Sequence, residues 1–160
     1  MNALSSRPAR VAAAVVVQLG LVAVAVSGQL SARLTGDEYS FRVEPVDPID
    51  PFRGAYVALD YPDLVPNDQN LPGDRGDVFL PLTEDGEVWA AGTPTRTRPG
   101  DGPYLSCSDR HYEIRCGIDS WFLPQDDARE LEGAIRDGDV VARVRIDGRG
   151  NAALVAVEVR

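Results

Sequence analysis

The stretch Asp139–Val159, DVVARVRIDGRGNAALVAVEV, decides the fold. Apolar and polar residues alternate along Asp139 to Ile146 and again along Ala152 to Val159. A period of two places one set of side chains on a buried face and the other in water, as in a half-buried strand. Between the two runs stands Asp147-Gly148-Arg149-Gly150-Asn151, a cluster of turn-forming residues. Two alternating runs joined by such a cluster read as a β-hairpin, and this is the strongest hairpin signal in the chain.

Working towards the N-terminus, Pro124 opens a short helix at its first turn, where its missing N–H does no harm. Asp126, Asp127 and Glu130 favour that start electrostatically. Leu131 and Ile135 are its apolar positions, and Gly138 ends it. Further strands are expected at Glu38–Glu44, Ala55–Tyr61, Asp77–Leu82, Val88–Ala91, Tyr104–Cys107, Tyr112–Ile118 and Trp121-Phe122. Glu84-Asp85-Gly86 is a tight turn. The segments 64–76 and 93–102 are loops, marked by Asn, Asp, Gly and Pro. Many short strands, frequent turns and one helix predict a mainly β domain, an antiparallel barrel or sandwich-like fold.

Between the first two strands lies PVDPIDPFRGAYVALDYP, Pro45 to Pro62. Pro45, Pro48 and Pro51 fix their own φ and push the preceding residues toward extended geometry. Val46 to Phe52 is therefore a stiff connector, and Arg53-Gly54 turns it into the second strand. A positive φ is expected at Gly54. The matching residues Arg53, Gly54, Tyr56, Leu59 and Tyr61, with the PVDP stretch upstream, resemble the GDYxxLxY family of bacterial membrane-anchored proteins. A second stretch is also similar: Gly117-Ile118-Asp119, Trp121 to Pro124, and Ala128 to Glu132. The likeness covers nearly the whole chain. It departs at Ala55, where the family motif has aspartate, and at Cys116, where a tyrosine is expected. The family has no assigned activity, so the resemblance implies an anchor and a β-rich domain but no reaction. An aspartate lost from the motif counts against catalysis by that position.

Val11 to Ala32 carries no charge over 22 residues and is mostly Val, Ala and Leu. At 1.5 Å per residue it spans the ~30 Å core of a bilayer. Arg7 and Arg10 precede it, which keeps the N-terminus of a spanning helix cytoplasmic. The competing reading is a secretory signal, cleaved after Ala-Val-Ala or Ala-Val-Ser. The run is longer than a usual signal core, and the family resemblance implies an anchor. The expected division is therefore a cytoplasmic tip and transmembrane anchor over 1–33 and an extracytoplasmic β-rich domain over 34–160. Leu34 to Asp37 reads as a short juxtamembrane link.

The segment 34–160 holds all 25 acidic residues and 13 of the 16 arginines, a formal charge of −12. Such a domain repels phosphate backbones, which excludes nucleic acid as a natural partner. The chain has no lysine, so it offers no Schiff-base or Ser–Lys chemistry. Cys107 and Cys116 are an even pair bound for an oxidising compartment, flanking a hairpin loop, and predict a disulfide. The alternative is two thiols on separate strand faces. Two cysteines and His111 make too few ligands for a zinc site.

Asp47, Asp50 and Arg53 recur every three residues along the stiff connector, with Tyr56 and Tyr61 on the strand after it. They form the candidate binding site. The competing reading is an internal ion pair pinning the connector to the domain. Asp68, Asn70, Asp74 and Asp77 lack the order and closing glutamate of a calcium loop. His111 has Ser106, Ser108 and Asp109 beside it in sequence, whereas triads assemble from distant segments. No cofactor and no metal is expected. The reading that results is a single-pass membrane protein whose β domain is a binding or accessory module. Family members sit beside genes for polytopic membrane proteins, which implies such a protein as partner. The alternatives are an envelope hydrolase using carboxylates and a small-ligand sensor domain.

Overall fold

The computed structural model describes residues 7–45, 56–64, 75–110, 113–124, 131, 133–135, 138 and 140–159. The chain begins with α1 (Arg7–Thr35), an unbroken helix of 29 residues. Among the described residues ten strands follow: β1 (Asp37–Arg42), β2 (Glu44–Pro45), β3 (Tyr56–Asp60), β4 (Gly76–Asp85), β5 (Val88–Ala91), β6 (Tyr104–Arg110), β7 (Glu113–Arg115), β8 (Ser120–Phe122), β9 (Val140–Ile146) and β10 (Ala152–Val159). They pair in the orders β1-β9-β10, β2-β3-β8 and β5-β4-β6-β7, every pairing antiparallel. Together they make a curled antiparallel half-barrel with one further short helix.

The period-two reading holds where it was strongest. In β9, Val140, Ala142, Val144 and Ile146 are buried, and Val141, Arg143 and Arg145 are not. In β4 the same alternation buries Val78, Leu80 and Leu82. These residues join Phe41, Val43, Val57, Leu59, Leu105 and Ile135 in one core. Burying a side chain of this size stabilises by roughly 1.5–3 kcal/mol, which is what drives the sheet to close on itself. The short helix presents Leu131 and Ile135 to that core, and Gly138 ends it at φ 84°, its N–H on the Ile135 carbonyl at 3.0 Å.

Two expectations are corrected. The run Glu38–Glu44 is not one strand. It pairs with β9 as far as Arg42, while Glu44 and Pro45 pair with Asp60 and Leu59 of β3. At the handover, the Val43 N–H still reaches the Val140 carbonyl at 3.4 Å. One continuous run thus ties two sheets together.

The juxtamembrane link Leu34–Asp37 does not exist as a tether. Leu34 and Thr35 belong to α1, and β1 starts at Asp37, leaving Gly36 alone between them. A Cβ on Gly36 would lie 2.5 Å from the Ala32 carbonyl oxygen and 2.8 Å from the Ile146 backbone. Only glycine lets helix and β9 approach this closely.

Candidate functional site: the helix–hairpin junction and the motif strand

The end of α1 is seated on the β9–β10 hairpin. A helix leaves its last carbonyls without intrahelical partners. Here Arg145 supplies them, donating from Nε to the Gly36 carbonyl at 3.0 Å and from Nη1 to that of Arg33. A cation at this end also opposes the helix dipole. Arg33 reaches in the other direction, donating from Nη2 to the Leu154 carbonyl at 3.1 Å. That carbonyl lies where the β9–β10 register slips between Leu154 and Ala156, a bulge.

Asp147 is the centre of the junction. It is the buried charged residue among the described residues, 6 % exposed. Its Oδ1 accepts from the backbone N–H groups of Arg149 and Asn151 at 2.9 and 3.0 Å. Its Oδ2 accepts from Ser31 Oγ at 2.5 Å and from Asn151 Nδ2 at 2.9 Å. Burial alone would push its pKa up. The side-chain bonds from Asn151 and Ser31, followed by the two backbone N–H groups, outweigh that and hold the carboxyl below its ordinary value. Arg149 completes the ring, donating from Nη2 to Ser31 Oγ at 3.2 Å. The hairpin turn is itself strapped to β6. The Ser106 N–H donates to the Gly150 carbonyl at 2.8 Å, and Tyr104 Oη to that of Gly148 at 3.3 Å. Gly150 has φ 80°, and a Cβ there would strike the Tyr104 ring at 2.6 Å. Helix, terminal hairpin and β6 therefore meet at one turn and are held as one body.

The second locus is the motif strand. Val57 and Leu59 of β3 are in the core. Tyr61 follows them there, 6 % exposed, with its ring 6.3 Å from Phe41 at 88°. Its hydroxyl donates to the Ile118 carbonyl at 2.8 Å. Burial first, and the nearby Asp119 carboxylate second, push this phenol well above its ordinary range. Leu59 donates its N–H to the Asp119 carbonyl at 3.0 Å, and Tyr56, Val57 and Ala58 pair with Phe122, Trp121 and Ser120. The two matching stretches, far apart in sequence, are neighbours in the fold.

Of the candidate binding site, Asp47, Asp50 and Arg53 lie outside the described residues, as does Gly54. The connector leaves β2 at Pro45 and re-enters at β3, an adjacent strand. Tyr56 is placed by its backbone pairing only. Tyr61 faces the core rather than the surface. His111, Asp68, Asn70 and Asp74 also lie outside the described residues, while Asp77 is exposed on β4. Asp109 pairs through Oδ2 with Arg96 Nη2 at 2.5 Å. Cys107 and Cys116 stand opposite each other where β6 meets β7, at disulfide distance with Cα atoms 4.2 Å apart. Among the described residues no three His, Cys, Asp or Glu side chains gather as metal ligands.

The sequence reading missed the junction entirely. Asp147 counted there only as a turn residue, and its partner Ser31 lies 116 positions away. The signal that was present is the interruption of the apolar run by Ser27, Gly28, Gln29 and Ser31.

Fold and junction define a class: a long apolar helix fused without a linker to an antiparallel half-barrel. The profile of the GDYXXLXY protein family matches residues 18–157, and the chain belongs to that family. The matched region runs from the middle of α1 through the half-barrel to Val157, two residues short of the end of β10. Neither a curated protein nor a solved structure matches the chain.

Proposed function

We propose that this protein is a membrane-anchored, extracytoplasmic accessory module that docks onto a polytopic membrane protein of the envelope. The observation that carries the reading is the contrast between the two ends of α1. Its last turns are locked to the domain by Asp147 and Arg145. Its body is bare, with Val16, Leu21 and Val24 each about two-thirds exposed or more. The helix is long and apolar enough to cross a membrane. Water does not tolerate such a surface, and a bilayer removes it at little backbone cost because the helix pairs its backbone groups internally across the span. Arg7 and Arg10 orient the N-terminus to the cytoplasm and the acidic domain to the far side. A domain rigidly set on its anchor presents a fixed face to neighbours in the same membrane. Exposed Phe122, opposite Tyr56 where the connector rejoins the sheet, marks the face we assign to the partner.

Co-purification from detergent-solubilised membranes tests this. A stoichiometric polytopic partner is expected, and Asp50→Ala and Arg53→Ala should weaken its recovery while leaving the melting temperature unchanged. Loss of stability in step with partner recovery would instead make these residues an internal ion pair. A monodisperse protein without partner would favour the sensor or hydrolase alternatives.

A further inference from the structure

We infer that the β9–β10 turn, 147–151, lies in the lipid headgroup layer and that Arg149 binds the phosphate of an anionic phospholipid. The inference rests on the membrane reading above and adds a surface to it.

The geometry sets the depth. Val11 to Leu30 is 20 residues, about 30 Å of helix, which matches the hydrocarbon thickness of a bilayer. With Arg10 kept at one surface, the other boundary falls near Leu30. The turn is held at this level: a Cβ on Gly28 would lie 3.2 Å from Asn151 Oδ1, and Ser31 Oγ touches both Asp147 and Arg149. Because the helix and domain are one body, the turn cannot swing away from the surface as a tethered domain could.

The chemistry sets the ligand. The domain as a whole is acidic, yet the junction gathers Arg33, Arg145 and Arg149. Arg33 and Arg145 spend their donors on backbone carbonyls. Arg149 holds Ser31 through Nη2, which also lies 3.8 Å from Asp147 Oδ2 in an ion pair, while its side chain remains 65 % exposed. The carboxylate beside it, Asp147, is buried with both oxygens occupied, so it turns no bare charge toward lipid. A guanidinium presents five donors in a fork suited to phosphate. At headgroup depth it meets phosphate oxygens, to which its fork of donors is matched.

The test uses the full chain in nanodiscs of mixed phosphatidylcholine and phosphatidylglycerol, with a nitroxide placed at one added cysteine. Gly148 suits a label because a Cβ there meets nothing within 4 Å and its φ is not positive. A label at Gly148→Cys should relax the phosphorus signal of phosphatidylglycerol several-fold more than that of phosphatidylcholine. Arg149→Gln should equalise the two and Arg149→Lys should keep the preference. Equal relaxation of both lipids with Arg149 in place, or no relaxation of either, would overturn the inference. A second label at Val16→Cys separates failures. If it is shielded from a water-soluble relaxant, the anchor stands whatever the turn does; if it is fully accessible, the membrane reading falls and takes this one with it.

Discussion

At the scale of single residues, Asp147 and Tyr61 each solve a burial problem with hydrogen bonds. Asp147 gathers two backbone and two side-chain donors, which stabilise its charged form in place. Its folded-state pKa lies below the unfolded value of about 3.9. The stability it contributes is therefore fully present above that value and is lost as pH falls through the lowered folded value. Thermal melts across pH should be flat near neutrality on this account and fall in acid. Asp147→Ala should cost about 2–3 kcal/mol at neutral pH, since it strands donors that were paired to a charge. Tyr61→Phe should cost about 1–2 kcal/mol by leaving the Ile118 carbonyl without its partner, measured by denaturant unfolding. Neither role was legible in sequence. Asp147 stood in a Gly-rich turn, and the Tyr61 hydroxyl gives no local hint that it reaches across to residue 118.

At the scale of elements, what the sequence revealed depended on whether the controlling contact was local. The terminal hairpin was legible because alternation and turn residues sit side by side in the chain. The same holds for the short helix, whose Leu131 and Ile135 face the core and whose Gly138 takes a left-handed φ. The break at Val43 was invisible, since Tyr39, Phe41 and Val43 alternate without interruption and period two does not say which strand is the partner. The end of α1 was misplaced for a related reason. The expected anchor ended at residue 33, but the helix runs to Thr35 and the cap on its last turn comes from Arg145, 112 positions after Arg33. The cysteine pair was readable because its ends flank one hairpin, with a sequence separation of 9. Thiol alkylation of denatured, non-reduced protein should leave both cysteines unmodified. Replacing the pair by serines should lower stability by at most about 3 kcal/mol, the chain-entropy limit for a loop this short. Full alkylation of both would show that the bond does not form in the cell.

At the scale of the whole molecule, the half-barrel and its helix form a single folding unit rather than a domain on a string. The resemblance read from the motif gains a physical basis here, because its two stretches are joined by Tyr61 and by the β3–β8 pairing. The candidate connector site was defined by proline stiffening and the three-residue spacing of Asp47, Asp50 and Arg53, and the partner-recovery experiment tests those charges. The central claim is that α1 is a retained anchor whose last turns belong to the fold. Cleavage after Ala25 or Ser27 would remove the exposed body of α1 and leave Gly28–Ser31 on the terminal hairpin, whereas a cut after Ser31 would leave Asp147 without its seryl donor. Intact-mass spectrometry of the protein extracted from membranes decides the matter. The account predicts a chain that still carries the whole of Arg7–Thr35; a mature N-terminus between Val24 and Ser31 would contradict it.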